Sequence, residues 1–299
     1  MSALLLLLVC LALGAVVSRF ARPPVGTVPV LNWWVVNIAL PALVLQLLPK
    51  VRFDPQLWFP PALMWLELLG AWLVMSLLGR ALGWSRHRIG ALVLVGGIGN
   101  TSFMGYPMLM ALRGSEAMSL GVVADQVGSF AALATLGIVI ASFYAGRNVT
   151  AGQLARKVFG FPPFLALLAA IAVGMAGGWP PIVDRMLQAV GSTLTPLALF
   201  SVGMQLQLRP QRHEVLPTMV GLGWKMLLAP LAGLLLAQWC GIHGPVRVAG
   251  VLQAAMAPMI TAAIIADQYG LEPPLANTLL GAGILLSLVT IPLWNMALG

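Results

Sequence analysis

Residues 96 to 107 read Gly96-Gly97-Ile98-Gly99-Asn100-Thr101-Ser102-Phe103-Met104-Gly105-Tyr106-Pro107. They lie inside an interval, 89 to 112, that carries no Asp, Glu, Lys or Arg. Such an interval is long enough to cross a hydrocarbon core, which takes ~20 residues. Three glycines in four residues, then Asn and Thr, make a poor continuous helix. Loose backbone at membrane depth is tolerated only where protein or a water-filled cavity satisfies it. A second weak point, Ala257-Pro258-Met259-Ile260-Thr261, falls at the matching depth of a later apolar interval. Proline there removes a backbone donor and clashes with the preceding turn. Two such interruptions in corresponding places point to a transport site, whereas a lone small-residue pair such as Gly174 and Gly178 points to helix packing.

Composition supports the membrane setting. Apolar residues make up 60% of the 299 and charged residues only 8%, against roughly 25% in a soluble domain. So few charges cannot cover a water-soluble globule of this size. The net charge of +8 does not indicate nucleic-acid binding, because the cations stand singly or in twos and threes between apolar runs. Cys10 and Cys240 lie in apolar runs and read as small hydrophobes. His87, His213 and His243 sit at span ends and form no metal-ligand spacing, and no Ser/His/Asp arrangement suggests hydrolysis. No cofactor, metal or enzymatic activity is expected.

Charge-free intervals place ten spans near 4–17, 30–48, 59–80, 89–112, 119–144, 161–178, 186–207, 216–239, 247–267 and 275–297. The first reads as a helix rather than a secretory signal, since Met1, Ser2 and Ala3 supply no basic region and Arg19 and Arg22 follow it. Orientation follows from the cations. With the N-terminus outside, cytoplasmic loops hold Arg19, Arg22, Arg80, Arg86, Arg88, Arg147, Arg156, Lys157, Arg209 and Arg212. The other side holds Lys50, Arg52, Arg113, Arg185 and Arg247. This bias favours both termini outside.

The halves repeat one another. Pro41 answers to Pro196, Arg88 to Arg247, and Gly114-Ser115-Glu116 to Gly270-Leu271-Glu272, at offsets of 155, 159 and 156. The chain thus divides into repeats at 1–146 and 161–299 around a short cytoplasmic linker, 147–160. Five spans per repeat is an odd number, so the second repeat inserts upside down, as in many secondary transporters. Half-helices starting at the breaks would present free N–H groups and the positive ends of their dipoles to a carboxylate. Asn100 and Thr101 add side-chain donors. Three ionisable residues fall inside spans, Glu67, Asp125 and Lys225, and must face protein or a cavity. Asp125 and Lys225 are open to pairing with each other, to carrying coupling protons, or to tuning the field at the substrate. Asp267, at the end of its span, reads as interfacial.

Gly99-Asn100-Thr101 through Pro107, Leu40-Pro41-Ala42-Leu43, Lys225 to Pro230, and Ala257 through Gly270 resemble four motifs of the auxin efflux carrier family. The resemblance implies an all-α membrane protein of ten helices, related to bile-acid symporters and sodium/proton antiporters, with spans four and nine crossing. It also implies a homodimer in the plasma membrane, the inner membrane of a bacterium, and transport by alternating access of the elevator kind. A small organic anion would bind at Gly99, Asn100, Thr101, Pro258, Met259 and Thr261, supported by Asp125, Lys225, Pro41, Pro196 and Gln253. Two departures stand out: plant carriers have proline where this chain has Gly99, and their long loop between spans five and six is here 145 to 160. A bacterial-type carrier of mono- or dicarboxylates fits better than an auxin carrier. The rival readings are a sodium-coupled symporter of the bile-acid type and a membrane sensor that binds the anion without moving it.

Overall fold

A computed structural model describes residues 2–21, 23–51, 54–147, 150, 152, 156, 159–205 and 212–299. Arg22, Arg52, Lys157 and Arg209 of the orientation count, and much of the expected linker, lie outside the described residues. Among the described residues the protein is all-helical, without a strand. In chain order the helices are α1 (Ser2–Val16), α2 (Thr27–Lys50), α3 (Phe59–Ala81), α4 (Arg86–Gly97), α5 (Gly105–Ala145) and α6 (Pro162–Met175). They continue as α7 (Pro181–Met204), α8 (Arg212–Trp239), α9 (Gly244–Ala254), α10 (Ile260–Gln268) and α11 (Pro273–Ala297).

Each of the ten expected intervals contains helix among the described residues. Six helices, α2, α3, α5, α7, α8 and α11, are long and apolar enough to cross a membrane, and α1 and α6 are shorter apolar helices. The two intervals left over are the ones the sequence marks as weak. Each is split, into α4 and the start of α5, and into α9 and α10.

Glycine and proline shape the helices from within. Gly114, at φ 79° and ψ −168°, divides α5 into a short arm, 105–113, and a long arm, 115–145. That backbone geometry is open to glycine and not to residues with a Cβ. Pro41 and Pro230 each follow a widened π turn, Val35–Ala39 and Trp224–Leu228. A proline ring collides with the carbonyl four residues back, and widening the turn relieves the clash. The Met226 carbonyl freed in this way accepts the indole N–H of Trp294 at 2.8 Å. Gly174 packs against the backbone of Pro49, as expected of a small residue. Gly178 does not: at φ 92° it makes the turn after α6, with open space where a side chain would lie.

Contacts sort the helices into two groups, each drawn from both halves of the chain. In one, α1 packs along the second part of α7, and α2 against α6 and α7. Close approach there depends on Gly14 and Gly203, where an added methyl would lie 2.1 Å from a carbonyl oxygen of the facing helix. In the other group α3 packs on α4, α9 and the Ala124–Phe130 turn of α5, while α11 packs on α4, α8 and α10. A cleft of about 990 Å³ lies between the groups, with Gln46, Lys50 and Gln188 on one wall and Glu116, Ser119 and Leu120 on the other.

Candidate functional site

The two interruptions meet. After Gly97 the chain turns extended at Ile98 (φ −131°, ψ 123°), and before Ile260 it is extended at Met259 (φ −77°, ψ 129°). Gly99 and Pro258 pair as an antiparallel bridge. The N–H of Asn100 donates to the Ala257 carbonyl at 2.7 Å, and the N–H of Met259 donates to the Ile98 carbonyl at 2.9 Å. Pro258 therefore loses no partner by lacking an N–H, since both bonds use its neighbours. Each break closes part of the deficit left by the other.

Asn100 organises the first break. Its Oδ1 accepts the N–H of Phe103 at 3.1 Å and its backbone carbonyl accepts the N–H of Gly105 at 2.9 Å, which caps the turn that becomes α5. Its amide nitrogen, Nδ2, is buried and has no hydrogen-bond partner among the described residues. An unpaired buried amide donor is costly, of order 1–3 kcal/mol. It is the group an incoming acceptor would satisfy.

Gln253, fully buried at the end of α9, ties that helix to the first break and to the long arm of α5. Its Nε2 donates to the carbonyls of Thr101 at 3.1 Å and Gly121 at 3.3 Å, while its Oε1 is buried without a partner. Two glycines make room for it. A methyl on Gly105 would lie 2.3 Å from Oε1, and one on Gly121 would lie 2.8 Å from Nε2. Gly99 is required by another neighbour: a methyl there would lie 2.8 Å from Lys225 Nζ and 3.2 Å from the Gln253 carbonyl. Close approach of a lysine is the local reason for glycine at this position.

Of the roles open to Asp125 and Lys225, pairing with each other is not what the fold makes. Lys225 is fully buried and bonds Glu67, itself buried on α3, and donates to the Ala254 carbonyl at 2.8 Å. A cation at the last carbonyls of α9 is favoured by the helix dipole. Asp125 instead accepts three neutral donors: the Thr101 hydroxyl, the Tyr106 hydroxyl at 2.6 Å and the Gln126 side-chain amide at 2.8 Å. The three-dimensional path, and not sequence distance, sets these partners, because α3 packs on the turn that carries Asp125 and α8 brings Lys225 to α3.

Of the expected site residues, the fold brings together Gly99, Asn100, Thr101, Pro258, Met259, Gln253, Asp125 and Lys225. Thr261, on the first turn of α10, is exposed. Pro41 and Pro196 lie on α2 and α7, in the other packing group. Sequence reasoning passed over Tyr106 and the pairing role of Glu67. A signal for Tyr106 was present, because it is one of only three tyrosines and stands in the middle of an apolar interval. Asp267 is exposed at the end of α10. Arg88, at the start of α4, pairs with Glu272 at 2.5 Å, and Glu272 holds a left-handed conformation (φ 44°) just before α11.

The membrane transport protein family matches residues 1–295. An uncharacterized transporter of Methanothermobacter thermautotrophicus is 24% identical over 90% of this chain and 88% of its own length. A Rhizobium meliloti protein named “Putative malonate transporter” is 26% identical over 93% and 89%. Auxin efflux carrier component 5 of Arabidopsis thaliana is 24% identical over 67% of each chain. With broken helices meeting inside an apolar bundle and a family match along almost its whole length, the chain belongs to the auxin efflux carrier family and is a membrane transporter, not an enzyme.

Proposed function

We propose that this protein is a secondary transporter of small organic anions, mono- or dicarboxylates, that holds a carboxylate where the two breaks pair. One observation carries the reading: the buried, unpartnered amide nitrogen of Asn100, located where two interrupted helices hydrogen-bond to each other. A carboxylate oxygen would satisfy that donor and lie near the N-terminal ends of α5 and α10, whose dipoles favour negative charge. Thr101, Met259 and the backbone at Gly99 and Pro258 complete the proposed site. The Rhizobium meliloti relative named for malonate supports this substrate class.

In this reading ten helices form two five-helix inverted repeats, with α4–α5 and α9–α10 as crossing discontinuous spans. Alternating access is a movement of the α3–α4–α5–α8–α9–α10–α11 group against the α1–α2–α6–α7 group. The cleft between the groups supports this, because Leu120 on its wall adjoins Gly121, whose carbonyl holds Gln253. Both termini face outside, and the functional unit is a homodimer in the plasma membrane. Counterflow of malonate in proteoliposomes, after a thermal-shift screen of mono- and dicarboxylates, tests the function. Saturable exchange is expected. Binding without exchange would instead establish a sensor.

A further inference from the structure

Asp125 is a buried acid, 2% exposed, whose three hydrogen-bond donors are all neutral. Charged side chains do approach from the elements packed around it. The turn that holds Asp125 packs on α3, which carries Glu67, but Glu67 is bound to Lys225 from α8, so that pair brings no net charge. Tyr106, at the start of α5, is the titratable group in direct contact, and it donates its hydroxyl hydrogen to the acid. From α9 the nearest polar group is the neutral amide of Gln253, bonded to the Thr101 carbonyl.

Thr101, which bonds Asp125, is the residue after Asn100. An anion bound at Asn100 would therefore meet a second negative charge in surroundings that screen poorly. We propose that Asp125 takes up a proton when the anion binds, so that proton and anion cross the membrane together. This rests on the reading above, which places the anion at the paired breaks.

The local chemistry fits a proton better than a metal cation. The Gln126 amide and the two hydroxyls point hydrogens at the carboxylate; a cation there would have to displace all three, whereas a proton needs only one of them to turn. A carboxyl O–H would need an acceptor, and three are at hand. The hydroxyls of Thr101 and Tyr106 can each turn to accept. The Oε1 of Gln126 is buried without a partner, and rotation of that amide presents it to Asp125. The step balances as carboxylate plus one proton from the entry side giving the neutral acid, reversed on the exit side once the anion has left. By linkage, the proton strengthens anion binding by the same factor as the anion strengthens proton binding, about tenfold or more.

Infrared difference spectra of the full-length protein in nanodiscs, recorded over the pH range in which it stays folded, read the state of Asp125 directly. A protonated-carboxyl band is expected that grows as pH falls, is enhanced by malonate and is missing in Asp125→Asn. If that variant does not fold, Asp125→Glu shifts the band and assigns it. In weakly buffered solution malonate binding should take up a proton in the wild type. In Asp125→Asn the pH dependence of malonate affinity should flatten, and a pH gradient should cease to drive uptake. An Asp125 that stays ionised throughout, with and without malonate, overturns the proposal. So does malonate exchange that proceeds without proton uptake, or that follows a sodium gradient and ignores a pH gradient, although either result leaves transport itself standing. A titrating carboxyl in a protein that exchanges no carboxylate would remove the proposed substrate class and keep the proton site.

Discussion

The break between α4 and α5 runs from Ile98 to Met104 and contains Asn100, Thr101 and Ser102, all buried, with Asp125 behind them. Its partner between α9 and α10, from Ala255 to Met259, contains two alanines, two methionines and a proline. Backbone pairing between them is reciprocal, one bond given by each side. Side-chain chemistry is not. The first break supplies the amide donor and the hydroxyls; the second supplies carbonyls, dipole ends and an apolar wall. Support differs as well. Asn100 caps its own turn, while the end of α9 relies on Lys225 reaching in from α8. Two interruptions can thus pair symmetrically through their backbones while differing in the side chains they offer.

The largest effect should come from removing the support of the second break. Lys225→Ala leaves Glu67 buried and unpaired and takes a donor from the Ala254 carbonyl, a loss of roughly 3–5 kcal/mol of stability. Thermal unfolding in detergent measures it, and the paired substitution Lys225→Met with Glu67→Leu should recover most of the loss. If the single variant unfolds like the wild type, the contrast in support is wrong.

Next is the chemistry of the first break. Asn100→Ala removes the proposed anion donor and the cap of the turn, and should weaken carboxylate binding by about 1–3 kcal/mol, about five- to more than a hundredfold. Isothermal titration, with membrane insertion checked in parallel, would show it. Wild-type affinity in this variant would sink the assignment of Asn100.

Gly105→Ala places a methyl 2.3 Å from Gln253 Oε1 and must push that side chain off the carbonyls it holds. Overpacking of this kind costs roughly 1–3 kcal/mol. Reduced exchange at near-normal expression is the expected signature. The smallest effect belongs to Pro258→Ala. Both bridging hydrogen bonds use the neighbours of Pro258, so the substitution should change stability by less than about 1 kcal/mol and leave malonate affinity within a few fold. An Asn100-sized loss there would mean that the second break contributes more than frame.

Much of this was legible in the linear chain. Apolar intervals placed most of the helices, because a charge in hydrocarbon costs enough to be rare within a span, although the expected spans 89–112 and 119–144 share one helix, Gly105–Ala145, kinked at Gly114. The breaks were legible too, since glycine runs and a mid-span proline weaken a helix wherever it packs. Asn100 stood out as the polar residue at the weak point, while Gln253 came only with the family resemblance. Partners were harder to read. Asp125 and Lys225 are the obvious complementary pair on paper, and the fold separates them. Glu67 lies 158 positions from the lysine it neutralises. Gly178 looked like half of a packing pair and proved to be a turn.

Local patterning therefore specified the helices, their interruptions and the polar residues at them, because helix propensity and the cost of burying charge act along the chain over a few residues. Which carboxylate would meet the lysine, and which would be left with neutral donors beside the paired breaks, was settled only when α3, α5 and α8 packed together. Electrostatics in a buried site depends on separations of a few ångströms, and those are properties of the packing.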